Sequence, residues 1–280
     1  MPVTPEGILG HTITEDEFQL LRYIDSRHFL SSSTARFTEW DSSFSTDHPD
    51  WKKRIEVQES LGEVAGAVLG AEPREPGRKI LFVGASKGTI ATYFHLVALR
   101  RAGILEDFSV SILDFLWEPL EVTQKGSFEV TAQAETDIGQ AGTMTVAEYK
   151  ERLATATMIQ GNACATELPD AEYDVVVAPY LQHHMGILDK QLACEEMVRI
   201  TKPGGVMLLG DLTFDYPAFC EWLAAHAVEE VPYALESFVT ADEHIAMFGD
   251  SEVLARRDGS FYYSIALRRP LGVSTAPGEK

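Results

Sequence analysis

Short apolar runs that alternate with helical segments constrain the fold of this chain more than any other feature. Two of the runs, Tyr173–Ala178 and Gly205–Gly210, are apolar except for Asp174, which is typical of strands buried on both faces of a sheet. Repeated strand–helix units predict a parallel, doubly wound α/β sheet with helices on both faces. The earlier predicted strands are Lys79–Val83, Phe108–Leu113 and Ala156–Gln160.

The end of the chain predicts a hairpin at the edge of this sheet. Two strand-like segments, Glu252–Arg257 and Ser260–Arg269, flank the dipeptide Asp258-Gly259. Because both central residues of a type I′ turn need a positive φ, an Asp-Gly pair favours that turn. We therefore expect an antiparallel pair joined by a type I′ turn.

The start of the chain predicts helices rather than strands. Thr14 and Glu17 have the spacing of a capping box, and a second apolar helical stripe begins near Val57 and ends at Gly70. We expect residues 1–75 to form an N-terminal helical cap or lid.

Three further boundaries follow from composition and loop length. Residues 76–270 are expected to form a Rossmann-like core, and residues 271–280 a flexible tail. Within the core, the segment of about 115–143 is long for a loop between a strand and its helix. We expect that insert to be a lid or a disordered loop.

Charge and cysteine content restrict the partners of this chain. It carries 23 Lys and Arg against 43 Asp and Glu, a net charge of −20, which repels nucleic acids and anionic membranes. Its 3 cysteines have no paired spacing, which favours a reducing compartment. We expect a cytoplasmic protein with a small-molecule substrate, and the sequence leaves open a homodimer.

Candidate binding residues follow several predicted strands. Gly84 to Gly88 is a glycine turn between a strand and a helix, and Asp114 directly follows the next strand. Asn162 and Tyr180 follow two later strands. Because ligands of doubly wound sheets bind at the carboxyl ends of the strands, we expect these residues to share one site, with Asp114 accepting hydrogen bonds from a ribose diol.

The order of these segments resembles the class I S-adenosylmethionine (SAM) dependent methyltransferases. The similarity is carried by the glycine turn, the acid after the second strand, GNACATELP, DVVVAPYLQHHM and EEMVRITKPGGVMLLGD. It covers about Arg78 to Asp211 closely. The resemblance implies a seven-stranded sheet with an antiparallel last strand, and SAM as the cofactor.

By the same resemblance, roles can be assigned to individual positions. The glycine turn would hold the methionine part of SAM, Asp114 the ribose, Asn162 and Ala163 the adenine, and Tyr180 would lie near the sulfonium. The predicted cofactor-binding residues are Phe82, Gly84, Ala85, Ser86, Gly88, Asp114, Phe115, Asn162, Ala163 and Tyr180.

The chain departs from the family pattern at three positions. Phe82 stands where an acid usually helps to hold the SAM amino group, Ser86 replaces a glycine, and Asn162 replaces an aspartate. The first departure implies that the ammonium is bound by another residue, or that the cofactor lies in an altered pose.

Methyl transfer needs the nucleophile, methyl carbon and sulfur held in line, with an acid–base residue only if the nucleophile must lose a proton. The candidates for that role lie after strands: Tyr180, His183, His184 and Asp211. Candidate substrate contacts in the cap are Tyr23, Arg27 and Trp40. The sequence predicts no metal site.

Three other functions compete with methyl transfer as interpretations of the sequence. A short-chain dehydrogenase needs Lys four residues after its catalytic Tyr, and none of the 9 tyrosines has that spacing. A SAM-consuming cyclase that forms azetidine-2-carboxylate and methylthioadenosine is motivated by Phe82, because an ammonium freed from its acidic partner is a better nucleophile. A non-catalytic regulator with the same fold is the third alternative.

Overall fold

A computed structural model describes residues 14–16, 51–84, 90–128, 130, 136, 143–182, 185–213 and 239–271. Its helices are α1 (Trp51–Gly70), α2 (Ile90–Arg101), α3 (Trp117–Gln124), α4 (Val146–Ala154), α5 (Ile187–Ile200) and α6 (Ala241–Ala246). Its strands are β1 (Arg78–Val83), β2 (Phe108–Asp114), β3 (Thr157–Gln160), β4 (Tyr173–Pro179), β5 (Thr201–Leu212), β6 (Glu252–Asp258) and β7 (Tyr262–Arg268).

Within these ranges the strands form one seven-stranded sheet in the order β3-β2-β1-β4-β5-β7-β6. The first five strands of that order are parallel, whereas β7 pairs antiparallel with both β5 and β6. The predicted fold class, a Rossmann-like sheet with an antiparallel last strand, is confirmed.

Helices cover both faces of the sheet because its central strands are apolar on both sides. Ile80 and Phe82 of β1 belong to one buried apolar cluster, together with residues of α1, α2, α3 and α4. Leu81 and Val83 point the other way, into a cluster that includes residues of α5 and α6. Alternate residues of one strand thus anchor two layers, as strand geometry requires.

Helix α1 belongs to the core, although it falls inside the predicted 1–75 cap. Its residues Leu61 and Ala65 are fully buried against the sheet and α2. Apart from residues 14–16, the part of the cap before α1 lies outside the described residues. The division into cap, core and tail stays a prediction.

The segment of about 115–143 contains a helix where the sequence suggested a lid or disordered loop. Helix α3 buries Pro119, Leu120 and Thr123. The signal is weak because the buried residues Leu120 and Thr123, three positions apart, are too few for a clear helical period. Most of residues 129–142 lie outside the described residues.

The predicted type I′ turn at Asp258-Gly259 is wrong. Neither residue has a positive φ. The loop is longer than two residues, since β6 ends at Asp258, β7 begins at Tyr262, and Gly259 N donates to Tyr262 O at 2.8 Å. A Cβ on Gly259 would lie 2.2 Å from the Tyr262 ring, so packing against this ring, not a positive φ, requires the glycine.

The segment RITKPGG, predicted as a turn, forms the end of α5 and the start of β5, and it is tied to neighbouring parts of the core. Arg199 at the end of α5 pairs with Glu196 and Asp170, and it donates to Leu168 O at 2.7 Å. Gly205 lies so close to Asp174 O that a Cβ would be 2.9 Å from it. This segment, which is one of those that carry the resemblance, therefore has a structural role.

No helix in the described ranges is long and apolar enough to span a bilayer.

Candidate functional site

Backbone hydrogen bonds continue past the ends of the parallel strands and join their carboxyl tips. Gly84 N donates to Leu113 O at 2.8 Å, linking β1 to β2. Gly161 N donates to Asp114 O at 3.0 Å, linking the residue after β3 to β2. Tyr180 N donates to Gly210 O at 2.7 Å, linking β4 to β5. The predicted site residues Gly84, Asp114 and Tyr180 therefore lie along one edge of the sheet.

Gly84 must be a glycine for two separate reasons. Its φ is +77°, in the left-handed region that L side chains rarely adopt. A Cβ at this position would lie 2.4 Å from Cδ1 of Leu181, which follows β4. The backbone after β1 and the loop after β4 thus approach closely at this edge.

Replacing Gly84 by Ala should lower the free energy of unfolding by about 2 kcal/mol, from left-handed strain plus overlap with Leu181. Gly77→Ala is the matched control, because Gly77 has a φ of +85° with nothing within 4 Å of the added Cβ. The control should lose only the strain, about 1 kcal/mol. Urea unfolding measures both, and equal losses would show that the Leu181 contact carries no cost.

Asp114 is a half-buried carboxylate at the end of β2. Leu116 N donates to its Oδ1 at 3.1 Å, and Phe115 N also donates to this carboxylate. Burial raises the pKa of Asp114 to about 6, and the two backbone donors only partly offset that rise. Since a carboxylate has about four acceptor positions, two remain for a ligand such as a diol.

The predicted nucleoside-binding residues lie beside Asp114. Phe115 is 59% exposed directly after β2. Asn162 is exposed after β3, and its Oδ1 accepts a hydrogen bond from Cys164 N at 2.9 Å. The Asn162 oxygen therefore closes a turn, which leaves its amide N–H₂ group facing outward as a donor. Ala163 is half-buried in the same turn.

The candidate catalytic residues Tyr180 and Asp211 lie at the carboxyl ends of neighbouring strands. Tyr180 has a φ of +53°, a strained conformation that is uncommon for a residue with a side chain and is enriched at functional sites. Asp211, near the end of β5, is 1% exposed and accepts from Leu212 N at 2.8 Å. Tyr180 is half-buried and thus the more accessible of the two.

A buried polar network under this edge was missed from the sequence. His244 of α6 hydrogen bonds through Nε2 to Gln182 Oε1 and through Nδ1 to the Tyr263 hydroxyl. Cys194 Sγ donates to the same Gln182 oxygen at 3.5 Å. All four side chains are fully buried. No local sequence pattern marks this network, because its members come from four separate elements.

The network holds His244 in its neutral form. Burial lowers the pKa of His244 to about 3, although the nearby Asp211 charge opposes the shift. Burial also raises the pKa of Tyr263 well above its usual value, so the phenol keeps its proton. Tyr263 therefore donates to Nδ1, and His244 donates from Nε2 to Gln182. The loop after β4 is fixed to α6 and β7 by these directional bonds.

The remaining predicted residues are placed differently or lie outside the described part of the chain. Phe82 is fully buried, and its ring packs edge-to-face on His95 with centroids 5.5 Å apart. Its role in cofactor binding stays a prediction. Outside the described residues lie Ala85, Ser86, Gly88, His183, His184, Tyr23, Arg27 and Trp40.

In the described part of the chain, no group of His, Cys, Asp or Glu side chains is arranged to hold a metal ion.

A family model of a methyltransferase domain matches residues 129–209. No curated protein matches the chain. The CurJ carbon methyltransferase structure is 13% identical, with a TM-score of 0.53 over 85% of this chain and 58% of that one. A SAM-dependent methyltransferase from Methanosarcina mazei is 14% identical, with a TM-score of 0.50 over 73% of this chain and 97% of that one.

The chain has a class I methyltransferase fold. The resemblance inferred from the sequence motifs is confirmed, and SAM is the cofactor that the domain match implies. The edge residues of this methyltransferase fold suit that cofactor. Asp114 has unused acceptor capacity for a ribose diol, whereas the place of Gly84 beside the methionine part stays a prediction, because the Leu181 side chain packs against this glycine.

The pKa of Asp114 predicts how SAM binding depends on pH. Only the ionised carboxylate accepts both diol hydrogen bonds, and with a pKa of about 6 in the free protein roughly a tenth is ionised at pH 5. The apparent Kd for SAM should therefore rise about tenfold from pH 8 to pH 5. Calorimetry at both pH values measures this change, which Asp114→Asn should abolish. The same rise in Asp114→Asn would assign it to another group.

Proposed function

We propose that this chain is a SAM-dependent methyltransferase that methylates an oxygen, nitrogen or carbon atom of a small-molecule acceptor in specialised metabolism. The observation that carries the proposal is the methyltransferase-domain match on a fold whose linked strand tips bring Gly84, Asp114 and Tyr180 to one edge. The net charge of −20 supports a small acceptor over a nucleic acid. The same charge, and cysteines that lack a paired spacing in the sequence, favour the cytoplasm.

The cofactor supplies an electrophilic methyl group on a sulfonium. The protein then has to orient both reactants and exclude water, which requires rigid strand ends more than a strong base. The backbone hydrogen bond of Gly84 to Leu113 and the buried hydrogen bond of Gln182 to His244 support that role. If the acceptor must lose a proton, Tyr180, His183, His184 and Asp211 are the candidates to take it.

Product analysis tests the proposal directly. The purified protein is incubated with SAM alone, and then with SAM and a panel of small phenols, amines and carboxylic acids. S-adenosylhomocysteine that forms only with an acceptor supports methyl transfer. Methylthioadenosine from SAM alone would show a cyclase instead, and the absence of SAM binding in calorimetry would favour the regulator.

A further inference from the structure

Gln58 of α1 is a buried side chain whose hydrogen-bonding capacity is not satisfied. It is 2% exposed, and among the described residues its Oε1 has no partner. Leaving a buried carbonyl unpaired is costly, so nearly all such groups in native proteins find a donor. Ser60, two residues further along α1, accepts a hydrogen bond from Ser264 at 3.0 Å. In the described part of the chain, the buried Ser60 hydroxyl on this helix thus has a hydrogen-bond partner, whereas the buried Gln58 Oε1 has none.

The packing of α1 on α2 fixes the position of Gln58 along the axis of α2. Three glycines of α1 face backbone or Cβ atoms of the residue 32 positions later, which shows that the helices run parallel in constant register. One turn before Gly62, this register places Gln58 beside Ile90, the first residue of α2. The glycine contacts are Gly62 with Phe94, Gly66 with Ala98, and Gly70 with Ala102.

The contact of α1 with the sheet independently places Gln58 near the carboxyl edge. Leu61 packs on Gly210, where an added Cβ would lie 2.7 Å from Leu61 Cδ2. Gly210 O is the acceptor for Tyr180 N, so Leu61 already sits over the tips of β4 and β5. Gln58 lies three residues closer to the start of the helix, about 4.5 Å further toward the carboxyl edge. It thus lies near the carboxyl edge of the sheet, on the side that α1 covers.

The strand order determines which part of the cofactor faces Gln58. Asp114 on β2 and Asn162 after β3 place the nucleoside on one side of β1, whereas α1 lies on the other side, against β5 and β7. The amino-acid end of SAM must therefore point toward α1. Its ammonium is the hydrogen-bond donor at that end. Phe82, which lies in the same apolar cluster as α1, has no polar atom to accept from it.

We propose that Gln58 Oε1 accepts a hydrogen bond from the ammonium group of SAM. This inference rests on the proposed function, since it assumes SAM at the carboxyl edge. It explains why this buried amide oxygen has no partner among the described residues: the ligand supplies the donor.

A ligand-truncation experiment tests the inference. Gln58→Met keeps the length of the side chain but removes its acceptor. Calorimetry then compares SAM with 5′-methylthioadenosine, which has no amino-acid end. The variant should bind SAM roughly 10- to 100-fold more weakly, and methylthioadenosine within about twofold of the unmodified protein. Unchanged SAM affinity, or an equal loss for both ligands, would overturn the assignment.

A second variant identifies the group that Gln58 meets. In Gln58→Glu a carboxylate would face the ammonium, so the variant should bind SAM at least as tightly as the unmodified protein at pH 8. A loss as large as that in Gln58→Met would overturn the ammonium as the partner.

Thermal unfolding without ligand separates binding from a structural role. Gln58→Met should have an unchanged or higher Tm, because an unpaired buried polar group is replaced by an apolar one. Ser60→Ala, the matched control, should have a lower Tm and an unchanged ratio of the two affinities. If the unmodified protein binds neither ligand, the proposed function fails as well. If it binds both and Gln58→Met behaves identically, only the role of Gln58 fails.

Discussion

Replacing Asp114 by Ala should weaken SAM binding roughly 30- to 150-fold at pH 8. The ribose diol would lose two hydrogen bonds to a charged acceptor, and such a loss costs about 2–3 kcal/mol. Asp114 is oriented by the backbone N–H groups of Leu116 and Phe115. Its replacement by Ala therefore removes the acceptor without breaking a hydrogen bond to another side chain among the described residues. Calorimetry with SAM measures the change, and affinity within twofold of the unmodified protein would remove Asp114 from the site.

The stability of Asp114→Asn provides the control for this prediction. The pKa of Asp114 is about 6 in the folded protein, above its ordinary value of 3.8, so ionisation opposes folding as the pH rises through this range. At pH 8 the variant should therefore unfold at the same or a higher temperature, while its affinity for SAM is lower than that of the unmodified protein. A large drop in Tm would indicate that Asp114 serves the fold and not the ligand.

Replacing His244 by Phe should lower the free energy of unfolding by about 3–5 kcal/mol at pH 7. The phenylalanine ring fits the volume, but it leaves the buried Tyr263 hydroxyl without its partner and Gln182 Oε1 with only the weak Cys194 thiol as a donor, at about 1–3 kcal/mol each. Urea unfolding measures the loss. Asp242→Asn is the matched control on the same helix, because the Asp242–Arg256 ion pair is exposed and should contribute less than about 1 kcal/mol.

The difference in unfolding free energy between the unmodified protein and His244→Phe should also depend on pH. Since burial lowers the pKa of His244 to about 3, the unfolded chain binds its proton first, and stability is lost as the pH falls below about 6.5. This loss is absent in His244→Phe, so the difference in unfolding free energy should shrink from pH 7 to pH 5, by about 2 kcal/mol. A constant difference across this range would contradict a neutral buried His244.

Much of the fold was predictable because it rests on local, repeated patterns. The run Tyr173–Ala178, apolar except for Asp174, needs burial on both faces, and strands that alternate with helices leave few parallel topologies. The positions of Gly84 and Asp114 followed directly, because residues after parallel strands meet at one edge. The hairpin was also predicted, but its turn type was wrong, because the Tyr262 ring decides what fits at Gly259.

Helix α1 shows where local patterns stop. Its apolar stripe and its end at Gly70 were visible in the sequence, yet nothing local indicated that Gly62, Gly66 and Gly70 would pack on α2. A glycine lowers helix propensity wherever it stands, and only the neighbouring helix shows why one is needed. For the same reason Gln58 resembled an ordinary surface residue until the packing showed its burial.

The sequence alone determined the alternation of strands and helices, the glycine after β1 and the carboxylate after β2, because each depends on residues next to one another in the chain. Tertiary structure decided which polar side chains are buried, which of them find partners, and which pKa values shift. Gln182, His244 and Tyr263 are far apart in sequence and meet only after folding, and it is the exclusion of water around them that sets their protonation.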